Sequence, residues 1–170
     1  MSKTKPELHK ELSQFSNYLK EKGLKITNQR LLVAERIFSL NSHFTVDSLA
    51  EELKDRRGEI SRATIYRIVS LLVESGQLTE HDFGASSKYY EYIPTQEHHD
   101  HIVCLDCGYI EEFYDSAIEK IQAETAASHQ FELTDHSLNL YGRCKILKEN
   151  NHCERKESQA PKLQIKENQN

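Results

Sequence analysis

The sequence predicts an α+β chain in two parts: a helical bundle closed by a β-hairpin, then a small mixed α/β domain. Three observations carry this. Four stretches of apolar residues at spacings of three and four precede residue 76, and extended runs separated by turns dominate the rest of the chain. The chemistry also changes at the middle of the chain: all four cysteines and six of the nine histidines lie after residue 84. A length of 170 residues accommodates one ordinary domain or two small ones.

Taken in order, 6–22 reads as a helix with Leu8, Leu12, Phe15 and Leu19 on one side and Gly23 as its stop. Thr27 or Asn28 caps a second helix that presents Leu31, Leu32, Ile37 and Phe38. Asn41-Ser42-His43 is a loop. Thr45 caps a third helix running to about Asp55, with Val46, Leu49 and Leu53 inward. Ser61 caps a fourth, whose buried stripe is Ile65, Ile68, Val69, Leu72 and Val73 and whose end is Gly76. Strands over 77–83 and 88–93 flank a Gly-Ala-Ser-Ser turn. With the first helix set aside as an extension, three helices and a hairpin are the order of a winged helix, in which the third helix enters the DNA major groove. Residues 1–93 are therefore expected to be a winged-helix DNA-binding domain with an N-terminal helical extension, and 94–97 a hinge.

The second part is expected to span 98–145. It reads as a strand over 98–105, a turn at Asp106-Cys107-Gly108, a strand over 109–113, a helix over 116–129 and a strand over 131–141. The polar tail, 146–170, has little to bury and is expected to be disordered, apart from the contribution of Cys153 to a metal site.

Net charge is -5, which alone argues against nucleic acid. The imbalance sits in the second half. Residues 1–83 hold 13 basic and 12 acidic side chains, and eight of the basic ones fall between Lys20 and Arg57. Ser61, Arg62, Thr64, Tyr66 and Arg67 crowd the first two turns of the fourth helix, opposite its apolar stripe. Arg reads guanine edges bidentately, Thr and Tyr reach thymine methyls or phosphates, and a helix N-terminus favours phosphate. Lys25 and Arg30 add phosphate or minor-groove contacts. No run approaches the roughly 18 apolar residues of a membrane span, and the N-terminus has no apolar signal core. These features imply a cytoplasmic protein, where cysteines serve as thiols or metal ligands rather than disulfides.

The densest signal is E-H-H-D-H-I-V-C-L-D-C-G, residues 97–108. Cys104 and Cys107 form a C-x2-C knuckle, and Gly108 permits its turn. Cys144 and Cys153 could complete a tetrahedral, all-cysteine zinc site, with His152 a competing fourth ligand; a redox dithiol or unrelated buried thiols are the alternative readings. In a strand, His98 and Asp100 face one way and His99 and His101 the other, so one strand can serve two metal sites. Imidazole with carboxylate suits Zn, Fe, Mn, Co or Ni. His43, Glu91, Glu112, Glu119 and His136 are candidates to complete these sites. No Ser elbow, H-E-x-x-H or P-loop supports an enzyme, although a zinc metalloenzyme built on the His/Asp cluster is the reading from another functional class.

Four segments together resemble the Fur family of metal-dependent bacterial regulators: Gly23–Arg30, Ala63–Arg67, His98–Gly108 and Asp135–Gly142. The His/Cys block is similar to the ferric uptake branch. The resemblance implies a homodimer that grips AT-rich palindromic double-stranded operators through its winged helices and pairs through its C-terminal domains. It implies a regulatory site at His43, Glu91, His99 and His101, with Glu112 as a fifth ligand. It implies a second site at His98, Asp100, Glu119 and His136, and structural zinc at Cys104, Cys107, Cys144 and Cys153. Fe(II) is the implied corepressor, with Mn(II) or Zn(II) able to substitute in vitro. Peroxide sensors of the family carry Asp where this chain has Glu91 and Glu112. Zinc sensors bring a cysteine into the regulatory site. These two are the alternatives within the family.

Overall fold

The computed structural model describes residues 5–40, 42–56, 60–84, 87–92, 98–153 and 155. Contacts divide the chain into two compact units, the first ending at Gln96 and the second spanning Glu97–Ser158. The proposed hinge at 94–97 and the tail beyond 155 lie outside the described residues.

In the first unit, α1 (Lys5–Glu21) is followed by α2 (Asn28–Phe38), α3 (Val46–Glu52), a 3-10 turn at Lys54–Arg56 and α4 (Arg62–Glu74). Caps set the boundaries. Thr27, not Asn28, caps α2 by accepting from the Arg30 N–H. Thr45 and Ser48 form a reciprocal capping box on α3. Ser61 accepts from the Thr64 N–H at the start of α4. Phe15 and Leu19 of α1 are fully buried with Val33, Ile37, Phe38, Leu49 and Leu72, so the extension belongs to this core.

The hairpin is shorter than expected: β1 (Thr79–His81) pairs antiparallel with β2 (Tyr89–Glu91). On the other side of β2, an antiparallel bridge joins Phe44 to Tyr90, with both backbone bonds at 2.8–2.9 Å. That bridge places His43 opposite Glu91, because antiparallel partners have constant index sums. Three helices and this hairpin make a winged helix.

The second unit is a three-stranded sheet in the order β4-β3-β5, formed by β3 (Asp100–Cys104), β4 (Ile110–Phe113) and β5 (Asn139–Gly142). β3 runs antiparallel to β4 and parallel to β5, with α5 (Ser116–Ser128) in the crossover.

Two expectations are corrected. Residues 131–138 have no regular structure, and the strand starts only at Asn139. Their apolar members are few and Phe131 is 73% exposed, so little burial holds them extended on the sheet. The tail is not structureless at its start: α6 (Lys145–Asn150) follows β5 and Cys153 is buried. Cys144 caps α6 through its Sγ, and Asn151 ends it in the left-handed region at φ 53°.

Candidate metal centres and DNA-recognition surface

Two turns and one docking side chain assemble the thiol cluster. The Gly108 N–H closes the knuckle onto the Cys104 carbonyl at 3.0 Å, and Gly108 takes φ 74°, which its missing Cβ permits. Asp106, inside the knuckle, accepts from the Cys144 N–H at 2.8 Å and from Arg143 Nη1 at 2.9 Å. It therefore docks the third cysteine against the first pair. The left-handed Asn151 then returns the chain. Cys153 Sγ lies 3.6 Å from Cys144 Sγ and 3.9 Å from Cys107 Sγ. Thiolates at ~2.3 Å from a tetrahedral zinc stand about 3.8 Å apart. Sγ atoms of Cys104, Cys107 and Cys144 also lie within 4.8 Å of one another. His152 is exposed, whereas Cys153 is buried. Burial, reinforced by Cys104 and Cys153 and opposed by a bond from the Tyr109 backbone, pushes the Cys107 thiol up to about 12.

The expected alternation along the His-rich segment is realised, although the regular strand begins only at Asp100. His98 Nε2 lies 3.2 Å from Asp100 Oδ1, while the His99 and His101 rings sit 5.0 Å apart. The first pair meets Glu119, on the first turn of α5, and His136. His136 Nε2 is 3.0 Å and His98 Nε2 3.6 Å from the Glu119 carboxylate, and the two rings are 3.9 Å apart. Asp115 sets the start of α5 by capping the Ala117 and Ile118 N–H groups, which fixes Glu119 one turn later. Asp100 Oδ2 and Glu119 Oε1 are buried atoms with no hydrogen-bond partner. Buried lone pairs in that state are costly, and a cation among them satisfies both. The donor set therefore fits a divalent ion.

Of the remaining predicted ligands, His43 and Glu91 belong to the first unit, and His99, His101 and Glu112 to the second. His43 Nε2 lies 3.3 Å from Glu91 Oε2, and both residues are buried. His101 is the register partner of Glu112 across β3 and β4. One neighbour escaped the sequence reading: His81, whose Nε2 is 3.2 Å from the same Glu91 oxygen. It is a diagonal neighbour of Glu91 on one face of the hairpin, and only the strand register reveals it.

On α4, Arg62, Tyr66 and Arg67 are exposed while Ile65, Ile68 and Val69 are buried, so the polar face is available to a groove. Arg62 is held by Asp47 of α3. Ser61 caps the helix and meets Thr64 Oγ1 at 2.9 Å. Arg30, in the first turn of α2, donates to the Lys25 carbonyl and so fixes its side chain against the segment that precedes the helix. No described helix is long and apolar enough to cross a membrane.

A winged helix joined to a sheet domain with clustered thiols, imidazoles and carboxylates defines a metal-binding DNA-recognition protein. Residues 21–141 match the model of the ferric uptake regulator family. The chain is 41% identical over 134 residues to the ferric uptake regulation protein of Vibrio vulnificus, covering 78% of this chain and 89% of that one. It is 42% identical over 127 residues to the Escherichia coli K12 protein of the same name, covering 74% and 85%. Among solved structures, the Helicobacter pylori regulator Fur, described as having three functional metal-binding sites, superposes with a TM-score of 0.77 at 29% identity, covering 85% of this chain and 96% of that one. The Vibrio cholerae regulator, whose structure is described by rearrangement of its DNA-binding domains, gives 0.65 at 40%, covering 76% and 98%.

The chain belongs to the ferric uptake regulator family. It is a metal-responsive transcriptional repressor controlling iron uptake, with an N-terminal DNA-binding domain and a C-terminal dimerisation domain. It is not an enzyme, so the metalloenzyme reading is set aside.

Proposed function

We propose that the regulatory metal is Fe(II), held jointly by the two units, and that its binding licenses a cytoplasmic homodimer to grip an AT-rich palindromic operator. His43 and Glu91 from the first unit would hold it with His99 and His101 from the second, and Glu112 as a fifth ligand. The ion supplies a charge that four or five donors share. An ion that needs donors from both units binds one arrangement of them preferentially, and so shifts the population toward it. In a dimer, that arrangement sets the spacing of two α4 helices, and spacing selects the palindrome.

The observation that carries this reading is the division of one His-rich segment between two donor sets. His98 and Asp100 meet Glu119 and His136 inside their own unit, which leaves His99 and His101 on the other face. The first set is assigned to a second metal site and the thiol cluster to structural zinc, as three metal sites are described for the Helicobacter pylori relative. Carboxylates at both Glu91 and Glu112, with the four thiols grouped together, favour iron over peroxide or zinc sensing. Mn(II) or Zn(II) is expected to substitute in vitro, because affinity order alone does not select iron.

A second copy is supported by apolar surface on the sheet domain. Ile102 and its register partner Leu140 are each about two-fifths exposed, and no residue of α5 is buried. Surface of this kind marks an interface.

The test is His101→Ala in the full chain. Metal should no longer tighten operator binding, while the zinc content and low-salt binding to DNA stay unchanged. A His101→Ala chain that answers metal at wild-type concentrations overturns the regulatory assignment.

A further inference from the structure

His81 stands outside the regulatory, second and thiol ligand sets, yet it shares one carboxylate oxygen with His43. It ends β1 with Nε2 3.2 Å from Glu91 Oε2, and His43 Nε2 lies 3.3 Å from the same oxygen. Nitrogen and oxygen donors at about 2.0 Å from a tetrahedral ion stand about 3.3 Å apart. The His43 and His81 rings meet edge to face, 5.3 Å between centroids. Phe83, 1% exposed, stacks on His81 at 5.4 Å and 7° and touches the His43 ring at 5.7 Å. Packing therefore fixes both imidazoles. The three side chains are 3%, 16% and 10% exposed for His43, His81 and Glu91. The backbone holds them too: β1 and β2 carry His81 and Glu91, and the Phe44–Tyr90 bridge carries His43.

We propose that His43, His81 and Glu91 form a three-donor site for a divalent cation that is complete within the winged-helix unit, with His81 as a metal ligand. The inference rests on the proposed regulatory site and deepens it. Three donors meet the usual protein complement of an open metal site, leaving positions for further ligands. The DNA-binding unit then captures the ion by itself, and His99 and His101 complete the coordination sphere rather than create it. The bland alternative makes His81 a hydrogen-bonding neighbour that only orients Glu91. Glutamine separates the two roles, because its amide can donate to the carboxylate but replaces imidazole poorly on a metal.

The experiment titrates Co(II) into the zinc-loaded full chain and reads the ligand-field absorption. Glu119→Ala/His136→Ala silences the other His-rich cluster. In this background one Co(II) should bind. Adding His99→Ala/His101→Ala should weaken but retain it, and adding His81→Gln should then weaken it further by more than about 100-fold, beyond the range that loss of an outer-shell partner costs. If the His99→Ala/His101→Ala chain binds no Co(II), or if His81→Gln changes nothing, the three-donor site is wrong while the regulatory site stands. If the background itself binds no Co(II), the regulatory reading fails and this inference with it. In the unsubstituted chain, Cd(II) should shift the His81 imidazole 15N resonances. Unmoved resonances at saturation would overturn the proposal independently of any variant's folding.

Discussion

The Sγ atoms of Cys144 and Cys153 lie 3.6 Å apart although eight residues separate them. The intervening chain forms α6, which Cys144 caps, and Asn151 reverses it in a left-handed conformation. A six-residue helix thus converts a loose sequence spacing into the Sγ spacing that a shared ion would need. It also separates two neighbours that the sequence could not rank, since Cys153 turns inward and His152 outward.

Cys153→Ser should lower tightly held zinc to below one ion per chain and reduce thermal stability, because a structural zinc site contributes folding free energy. His152→Ala should leave both unchanged. Metal analysis with thermal unfolding of the two variants checks the pair, and the reverse ranking would move the fourth ligand to His152.

The Cys107 thiol predicts two pH dependences of opposite sign. Its value rises from about 9 to about 12 in the metal-free cluster, mainly through burial. A raised value stabilises the metal-free fold below the ordinary pKa, and that contribution is lost as pH rises from about 9 through 12. Zinc must expel the proton, so zinc affinity should rise about tenfold per pH unit for each proton released. Competition with a chelator at several pH values measures the second slope, and denaturation of the stripped chain measures the first.

Arg67→Ala should weaken operator binding by about 1–3 kcal/mol without altering metal content, since Arg67 lies on the exposed face of α4. Tyr66→Ala, at a side chain 46% exposed, should behave in the same direction. Binding isotherms at fixed salt decide this, because phosphate contacts make any affinity salt-dependent.

Leu19→Ala should destabilise the winged-helix unit by about 2–4 kcal/mol, the usual cost of a large-to-small change at a fully buried position. Tyr18 reinforces the same docking with a 3.0 Å bond to Glu74 at the end of α4. If denaturant unfolding shows no change, α1 is an appendage rather than part of the core.

The features legible in the sequence were those set by short-range rules. Thr45 and Ser61 cap their helices, and the apolar stripe of α4 faces the core. Period-two alternation alone divides His98 and Asp100 from His99 and His101. The features that stayed hidden depended on contacts distant in sequence. Asp106 looks like a turn residue, yet it docks Cys144 across 38 positions. His81 gains meaning only when the hairpin register and the Phe44–Tyr90 bridge bring three strands' worth of backbone together. The stretch 131–138 is not a strand because its scattered apolar residues, Phe131 and Leu133, stay exposed and gain little from lying on the sheet. The ligand roles proposed for Glu91, Glu119 and His136 rest on resemblance, since no local pattern marks a lone carboxylate or imidazole.

On the proposed reading, metal occupancy, through residues of both units, switches operator binding. The most direct measurement is an anaerobic titration of an AT-rich palindrome with chain that retains its zinc but has lost exchangeable metal, with and without Fe(II) or Mn(II) at fixed salt. Metal should tighten binding by roughly 5–150-fold, the usual range of coupling between two sites. Equal affinity with and without metal would rule out the metal switch and leave the His-rich clusters with a structural role only.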